Sequence, residues 1–218
     1  TLNEMENDEI LKVSASDMGF LKDVASWCDK TGNTLLKSER VAQENIAYIK
    51  KGTASTVKKS EVKEGKTLVV FSGDLDKVLA SFIIANGAAA MNRPVTMFFT
   101  FWGLNALRKS EHVKVKKPLI DKLFGLMMPR GSQKLKLSKM NMAGMGTAML
   151  KKVMNDKNVD SLETLMKTAM ANGVRLVACT MSMDIMGITK DELIDGVEFG
   201  GVASYLGDAE EGNVNLFI

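Results

Sequence analysis

The chain has 218 residues, 45% hydrophobic and 25% charged, with a formal net charge of +3; this is material for one or two globular domains with a sizeable core. Two distant cysteines, Cys28 and Cys179, argue against a secreted disulfide framework, and a lone histidine, His112, excludes a polyhistidine metal site. Thr1–Glu9 is acidic and lacks the apolar segment of a secretory signal, so the expected location is the cytoplasm.

Glu9–Ala15 alternates like a half-buried strand. Ser16 and Asp17 can cap a helix that places Phe20, Leu21, Val24, Trp27 and Cys28 on one face, and Thr31-Gly32-Asn33 ends it. Leu35–Ser38 and Ile46–Lys50 read as two short antiparallel strands. Residues 1–52 are therefore expected to form a β-α-β-β unit, small for an independent core and so truncated or docked. Residues 53–65 are polar and charged, which predicts a flexible linker.

A second domain is expected over 66–218. Lys66–Gly73 is a continuous apolar run ending in Ser-Gly, the pattern of a central parallel strand. Asp74 can cap the helix Leu75–Met91, whose apolar face comprises positions 75, 78, 79, 82, 83, 86 and 90. Pro94–Phe101 is a second strand, and Trp102-Gly103-Leu104 leads into a short helix. Asn86, Asn92, Arg93 and Pro94 break the apolar region Val78–Leu107, which favours core helix plus buried strand over a membrane span. Met142–Met154 and Ser161–Asn172 read as helices. Val174–Cys179 reads as a strand followed by a helix with Ser182 as N-cap and Asp184 in its first turn. A short helix over Gly200–Gly207 and a last strand, Val214–Ile218, complete the chain. Alternating strands and helices imply an α/β fold, a parallel sheet covered on both faces.

Charge is unevenly placed. Arg108–Lys139 carries a net +8, whereas the chain from Asp184 onward carries −7. The basic stretch, within an insertion over 108–141, also holds Leu119, Ile120, Leu123, Phe124, Leu126, Met127 and Met128, and twelve of the 16 methionines lie between Met127 and Met186. Met-rich surfaces adapt to several partners. Three readings stay open for the insertion: a mobile docking lid, a solvated charged face, or a peripheral membrane contact. No aromatic interleaving accompanies the charge, so nucleic acid is not an expected partner.

Ligands collect at the carboxyl ends of parallel strands. The first strand brings Ser72, Gly73 and Asp74 there, the second Phe101 and Trp102, and the third Cys179, Thr180 and Met181. A thiol at a strand-to-helix junction faces unpaired backbone N–H groups, which favour the thiolate. Each feature has a plainer reading: a buried core cysteine, an ordinary capping turn, and a core or interface tryptophan. Cys28, on an amphipathic helix, reads as structural.

The segment Thr67–Ile218 closely resembles the DsrE/DsrF/DrsH-like sulfur-relay family. The most specific match is Val177-Ala178-Cys179-Thr180-Met181-Ser182-Met183-Asp184-Ile185-Met186-Gly187, supported by Phe71–Lys77 and Thr100-Phe101-Trp102-Gly103. The resemblance implies a flavodoxin-like sandwich, assembly into homotrimers or hexamers, and Cys179 as carrier of sulfane sulfur in a persulfide. Thr180, Met181 and Ser182 would assist at the helix start. Donor and acceptor partners would be rhodanese-like or TusA-like proteins or small thiols, with no organic cofactor or metal required. Residues 1–52 resemble the latter part of a TusA/SirA-like domain without its Cys-Pro-x-Pro motif, so this unit is not expected to relay sulfur itself. Two other classes remain: a non-catalytic binding or scaffold module for thiol metabolites or sulfur-trafficking partners, and a thiol-dependent redox protein with Cys28 as resolving thiol.

Overall fold

The computed structural model describes residues 2, 5–15, 20–42, 44–52 and 64–218. The expected caps Ser16 and Asp17 and most of the linker, 53–63, lie outside the described residues.

The N-terminal unit is β1 (Ile10–Ala15), α1 (Phe20–Thr31), β2 (Thr34–Val41) and β3 (Glu44–Lys50), in an antiparallel sheet of order β1-β3-β2. This is the β-α-β-β succession that the period-two strands and the apolar helix face predict. Val24, Cys28, Ala47 and Ile49 form its small separate core.

The larger body is a five-stranded parallel sheet of order β7-β6-β5-β4-β8. Its strands are β4 (Gly65–Val70), β5 (Val95–Phe99), β6 (Arg175–Cys179), β7 (Glu198–Gly200) and β8 (Gly212–Phe217). The helices are α2 (Leu75–Ala90), α3 (Leu119–Met127), α4 (Met145–Asp156), α5 (Leu162–Ala171), α6 (Thr180–Ile185) and α7 (Val202–Glu210). The architecture is flavodoxin-like, as expected.

Side-chain alternation sorts the two faces. Met97, Phe99, Leu176 and Ala178 join α2 and α5 in the main core, with Leu75, Val78, Leu79, Phe82, Met166 and Ala169. Phe98, Val177 and Cys179 point the other way, to a small cluster against which Tyr205 of α7 packs. Helix α1 of the N-terminal unit packs on α7, so that unit sits behind the second face. Asp23 joins the two: its Oδ1 accepts from the backbone N–H groups of Gly201 (3.2 Å) and Ser204 (3.3 Å), capping α7 from outside its own segment.

Four details differ from expectation. Ile83 is exposed and Ala85 is buried, because α2 is apolar nearly all round and periodicity cannot choose its inward face. The apolar patch of the insertion forms helix α3. Strand β7 has three residues, too few to leave a periodic signal. The insertion is also tied down: Leu75 N–H donates to the Lys136 carbonyl, Asp76 accepts from Ser138 N–H and Oγ, and Met128 and Leu135 join the main core. Those bonds argue against the mobile-lid reading for 128–138. Among the described residues no helix is long and apolar enough to cross a membrane.

Candidate functional site

The carboxyl edge of the sheet holds a cleft. Phe71, Ser72, Gly73, Asp74, Trp102 and Pro129 line it, so the structure brings together four of the residues expected there. Asp74 is the N-cap residue of α2, but its side chain makes no capping hydrogen bond and instead pairs with Lys77 Nζ at 2.8 Å. Ser72 Oγ accepts from Asp74 N–H at 3.1 Å. Close packing forces small residues here: a Cβ on Gly103 would overlap the Val70 carbonyl, and one on Gly73 would meet the Trp102 carbonyl at 2.9 Å. Phe101 adopts the left-handed region, with φ 44°, at a cost of roughly 1–2 kcal/mol. Its ring lies 5.5 Å from that of Phe71. Trp102 is 47% exposed and forms the cleft's aromatic wall.

Cys179 is placed differently. It ends β6 and is itself the N-cap residue of α6, which starts at Thr180. Ser182 is therefore inside the helix rather than capping it. Its hydroxyl is engaged with that of Thr100 at 2.7 Å, a buried contact that sequence spacing does not reveal. Asp184 likewise lies late in α6, outside its first turn. Thr180 is buried and donates to the Gly200 carbonyl at 3.5 Å, while Met181 is exposed. The thiol is 1% exposed and lies with Phe98, Val177 and Tyr205. An open cysteine cleft walled by Phe101 and Trp102 is thus corrected: Trp102 lines the Ser72–Asp74 cleft, Phe101 packs against the main core beside Phe71, and the thiol faces the α7 side of the sheet. Cys28 is also 1% exposed. Burial, and secondarily the Asp29 carboxylate, pushes its thiol up, consistent with a structural role.

A second charged assembly lies beyond α6. Glu192 is buried and accepts through Oε2 from Lys117 Nζ, from Thr189 N–H (2.9 Å) and from Thr189 Oγ1 (3.2 Å). Its Oε1 faces Arg108 Nη2 at 3.4 Å and Arg130 Nη1 at 3.7 Å. Burial pushes the Glu192 carboxyl up, but the Lys117 hydrogen bond, the Thr189 backbone and the surrounding cations outweigh it and hold the group below the usual carboxylate range. Arg108 is fully buried and also donates to the carbonyls of Gly125 and Pro129. Arg108, Lys117 and Arg130 belong to the basic stretch and Glu192 to the acidic end. The charge asymmetry of the sequence signals this pairing without identifying its members. Among the described residues no group of three His, Cys, Asp or Glu side chains is arranged to hold a metal.

Comparison with known proteins follows the larger body. The sequence model of the DsrE/DsrF/DrsH-like family matches residues 63–217. The chain is 57% identical over 159 residues to the uncharacterized protein YrkE of Bacillus subtilis, covering 73% of this chain and 99% of that one. It is 38% identical over 155 residues to the sulfur carrier protein DsrE2 of Allochromatium vinosum, covering 69% and 96%. The crystal structure of the ychN protein from E. coli aligns with 71% of this chain and 99% of that chain, at 11% identity and a TM-score of 0.43.

Proposed function

Because the chain belongs to the DsrE/DsrF/DrsH-like family, a sulfur-carrier group consistent with a sulfur-relay role, we propose that it carries sulfane sulfur as a persulfide on Cys179. The observation that carries this reading is the position of Cys179. It ends a central strand of the parallel sheet, at the edge where the chemistry of such sheets collects, and opens α6.

The Cys179 thiolate attacks the outer sulfur of a donor R–S–SH. A new S–S bond forms, the donor S–S bond breaks, and R–S⁻ leaves with its electron pair. Cys179–S–SH then gives its outer sulfur to an acceptor thiolate and the Cys179 thiolate is restored. No external oxidant enters either step. Since the thiol is buried, transfer requires Tyr205 and α7 to move aside. Donors and acceptors in this reading are rhodanese-like or TusA-like proteins or small thiols. The basic insertion serves their docking, since Leu126 and Met127 of α3 stand in solvent. The chain divides into a partial TusA/SirA-like domain over 1–52, a linker over 53–65 and the sulfur-carrier domain over 66–218. Ser72, Gly73, Asp74 and Trp102 form a separate cleft at the same sheet edge, which in this reading holds part of a partner and not the sulfur that reaches Cys179.

Intact-protein mass spectrometry after incubation with thiosulfate and a rhodanese tests the reading. A gain of about 32 Da, one persulfide sulfur, is expected, reversed by reductant and absent from Cys179→Ser. The burial of Cys179 favours a second reading, a non-catalytic binding or scaffold module. An unchanged mass, with Cys179 resistant to iodoacetamide until the chain unfolds, would select it.

A further inference from the structure

The Arg108–Glu192 cluster has more positive charge than it can neutralise. Three cations, Arg108, Lys117 and Arg130, converge on the single carboxylate of Glu192. Both oxygens of that carboxylate are already engaged, and excess charge in such a setting costs several kcal/mol unless it is compensated. The repulsion is felt within the cluster: burial first, and the Arg130 charge second, hold the Arg108 guanidinium below its usual range. Arg130 Nη1 is buried and makes no hydrogen bond, even though Glu192 lies within ion-pair range.

Arg130 faces a hollow of about 350 Å³. Lys114, Lys117, Lys122 and Arg130 line it against Asp121 and Glu192, so cations are in excess at the wall, and Arg108 adds a further charge behind. A water molecule occupies about 30 Å³ of liquid, so the hollow has room for a tetrahedral anion with several waters. A guanidinium and nearby ammonium groups are the donors that oxyanions select, through short charge-assisted bonds.

We propose that this hollow is a binding site for a small dianionic oxyanion of the thiosulfate, sulfate or phosphate type, held by Arg130 and Lys117 with Lys114 and Lys122 at the rim. The anion supplies the negative charge that Glu192 alone does not, and pairs with the accessible part of the Arg130 guanidinium that lines the hollow. The inference stands apart from the Cys179 reading and survives its failure.

Isothermal titration calorimetry with sodium thiosulfate, sulfate and phosphate tests it, with ionic strength held constant by sodium chloride. The proteins compared are wild type, Arg130→Gln, Lys122→Gln and, as a remote control, Lys167→Gln on the exposed side of α5. Saturable binding of the dianions is expected, weakened about tenfold by Arg130→Gln, the loss of roughly one charge-assisted contact. A weakening of about threefold is expected for Lys122→Gln and none for Lys167→Gln. Tighter binding of thiosulfate would identify a sulfur oxyanion as the ligand; tighter binding of phosphate would identify a phosphate-bearing one. Heats no larger than those of matched chloride, or unchanged affinity in both Arg130→Gln and Lys122→Gln, would overturn the proposal. If Arg130→Gln does not fold by circular dichroism, Lys122→Gln decides.

Discussion

Two regions of the larger body have opposite characters. On one side the Cys179 thiol is enclosed by carbon, with Phe98, Val177 and Tyr205 around it. On the other, Arg108, Lys117, Arg130 and Glu192 concentrate charge under the basic insertion. Both are buried, yet burial has different consequences. Apolar burial of a thiol rests on a few van der Waals contacts, here with Phe98, Val177 and Tyr205. Burial of charges is maintained only while every partner stays in place. The first is a small apolar enclosure; the second is an electrostatic frame.

The frame should break hardest. Glu192→Gln removes the one carboxylate facing three cations, and a loss of about 3–5 kcal/mol is expected in urea unfolding. The pH dependence follows from the depressed carboxyl of Glu192. A group whose pKa is lower folded than unfolded stabilises the fold above its unfolded value, about 4.3 for Glu, and loses that contribution as pH falls through the folded value. Wild type should therefore lose stability on acidification below about pH 4.3, and Glu192→Gln should show a flatter profile over that window. Equal stability of the two proteins at neutral pH would mean that solvent or bound ions screen the cluster.

How much of this was legible in sequence depends on the range of the interaction. The strands and the β-α-β-β order were readable because alternation and turn residues act over a few positions. The strand ending at Cys179 was readable for the same reason. The start of α6 was not, because the hydroxyl that would have capped it pairs with Thr100, 82 residues away. Helix α3 carries a helical pattern, with Leu119, Ile120, Leu123, Phe124 and Met127 recurring against Asp121 and Lys122, but its apolar side chains stay exposed instead of entering the core, so the pattern does not mark it as a core element. The Arg108–Glu192 pair joins two segments 84 residues apart; sequence shows their opposite charges, and only the fold shows that they meet.

The enclosure of Cys179 is tested by truncating its aromatic cover. Tyr205 lies 5.2 Å, ring to ring, from Phe98. Tyr205→Ala removes a partly buried ring, at an expected cost of about 2 kcal/mol in stability. Lowering the local opening free energy by about 1.4 kcal/mol multiplies the open population by about ten. Alkylation of Cys179 by iodoacetamide in the native fold should therefore accelerate about tenfold, while Cys28, in the separate core of the N-terminal unit, should keep its rate. Parallel acceleration at both cysteines would mean global unfolding rather than a local opening.

The smallest effect probes the N-terminal unit as a clamp on the same enclosure. Asp23 caps α7 across the junction between the two bodies, and Lys22 Nζ donates to the Phe199 carbonyl at 2.9 Å beside it. An N-cap carboxylate replaced by alanine costs about 1 kcal/mol, and its charge also favours the positive end of the helix. Asp23→Ala should loosen the first turn of α7, which precedes Tyr205, and raise Cys179 labelling about fivefold with little change in overall unfolding. Asp23→Asn keeps an acceptor oxygen and should recover most of the protection. If Asp23→Ala leaves labelling at the wild-type rate while Tyr205→Ala raises it, the ring alone closes the cysteine and the docked unit is a passenger. If both raise it, the N-terminal unit controls access to a thiol that its own sheet does not contain.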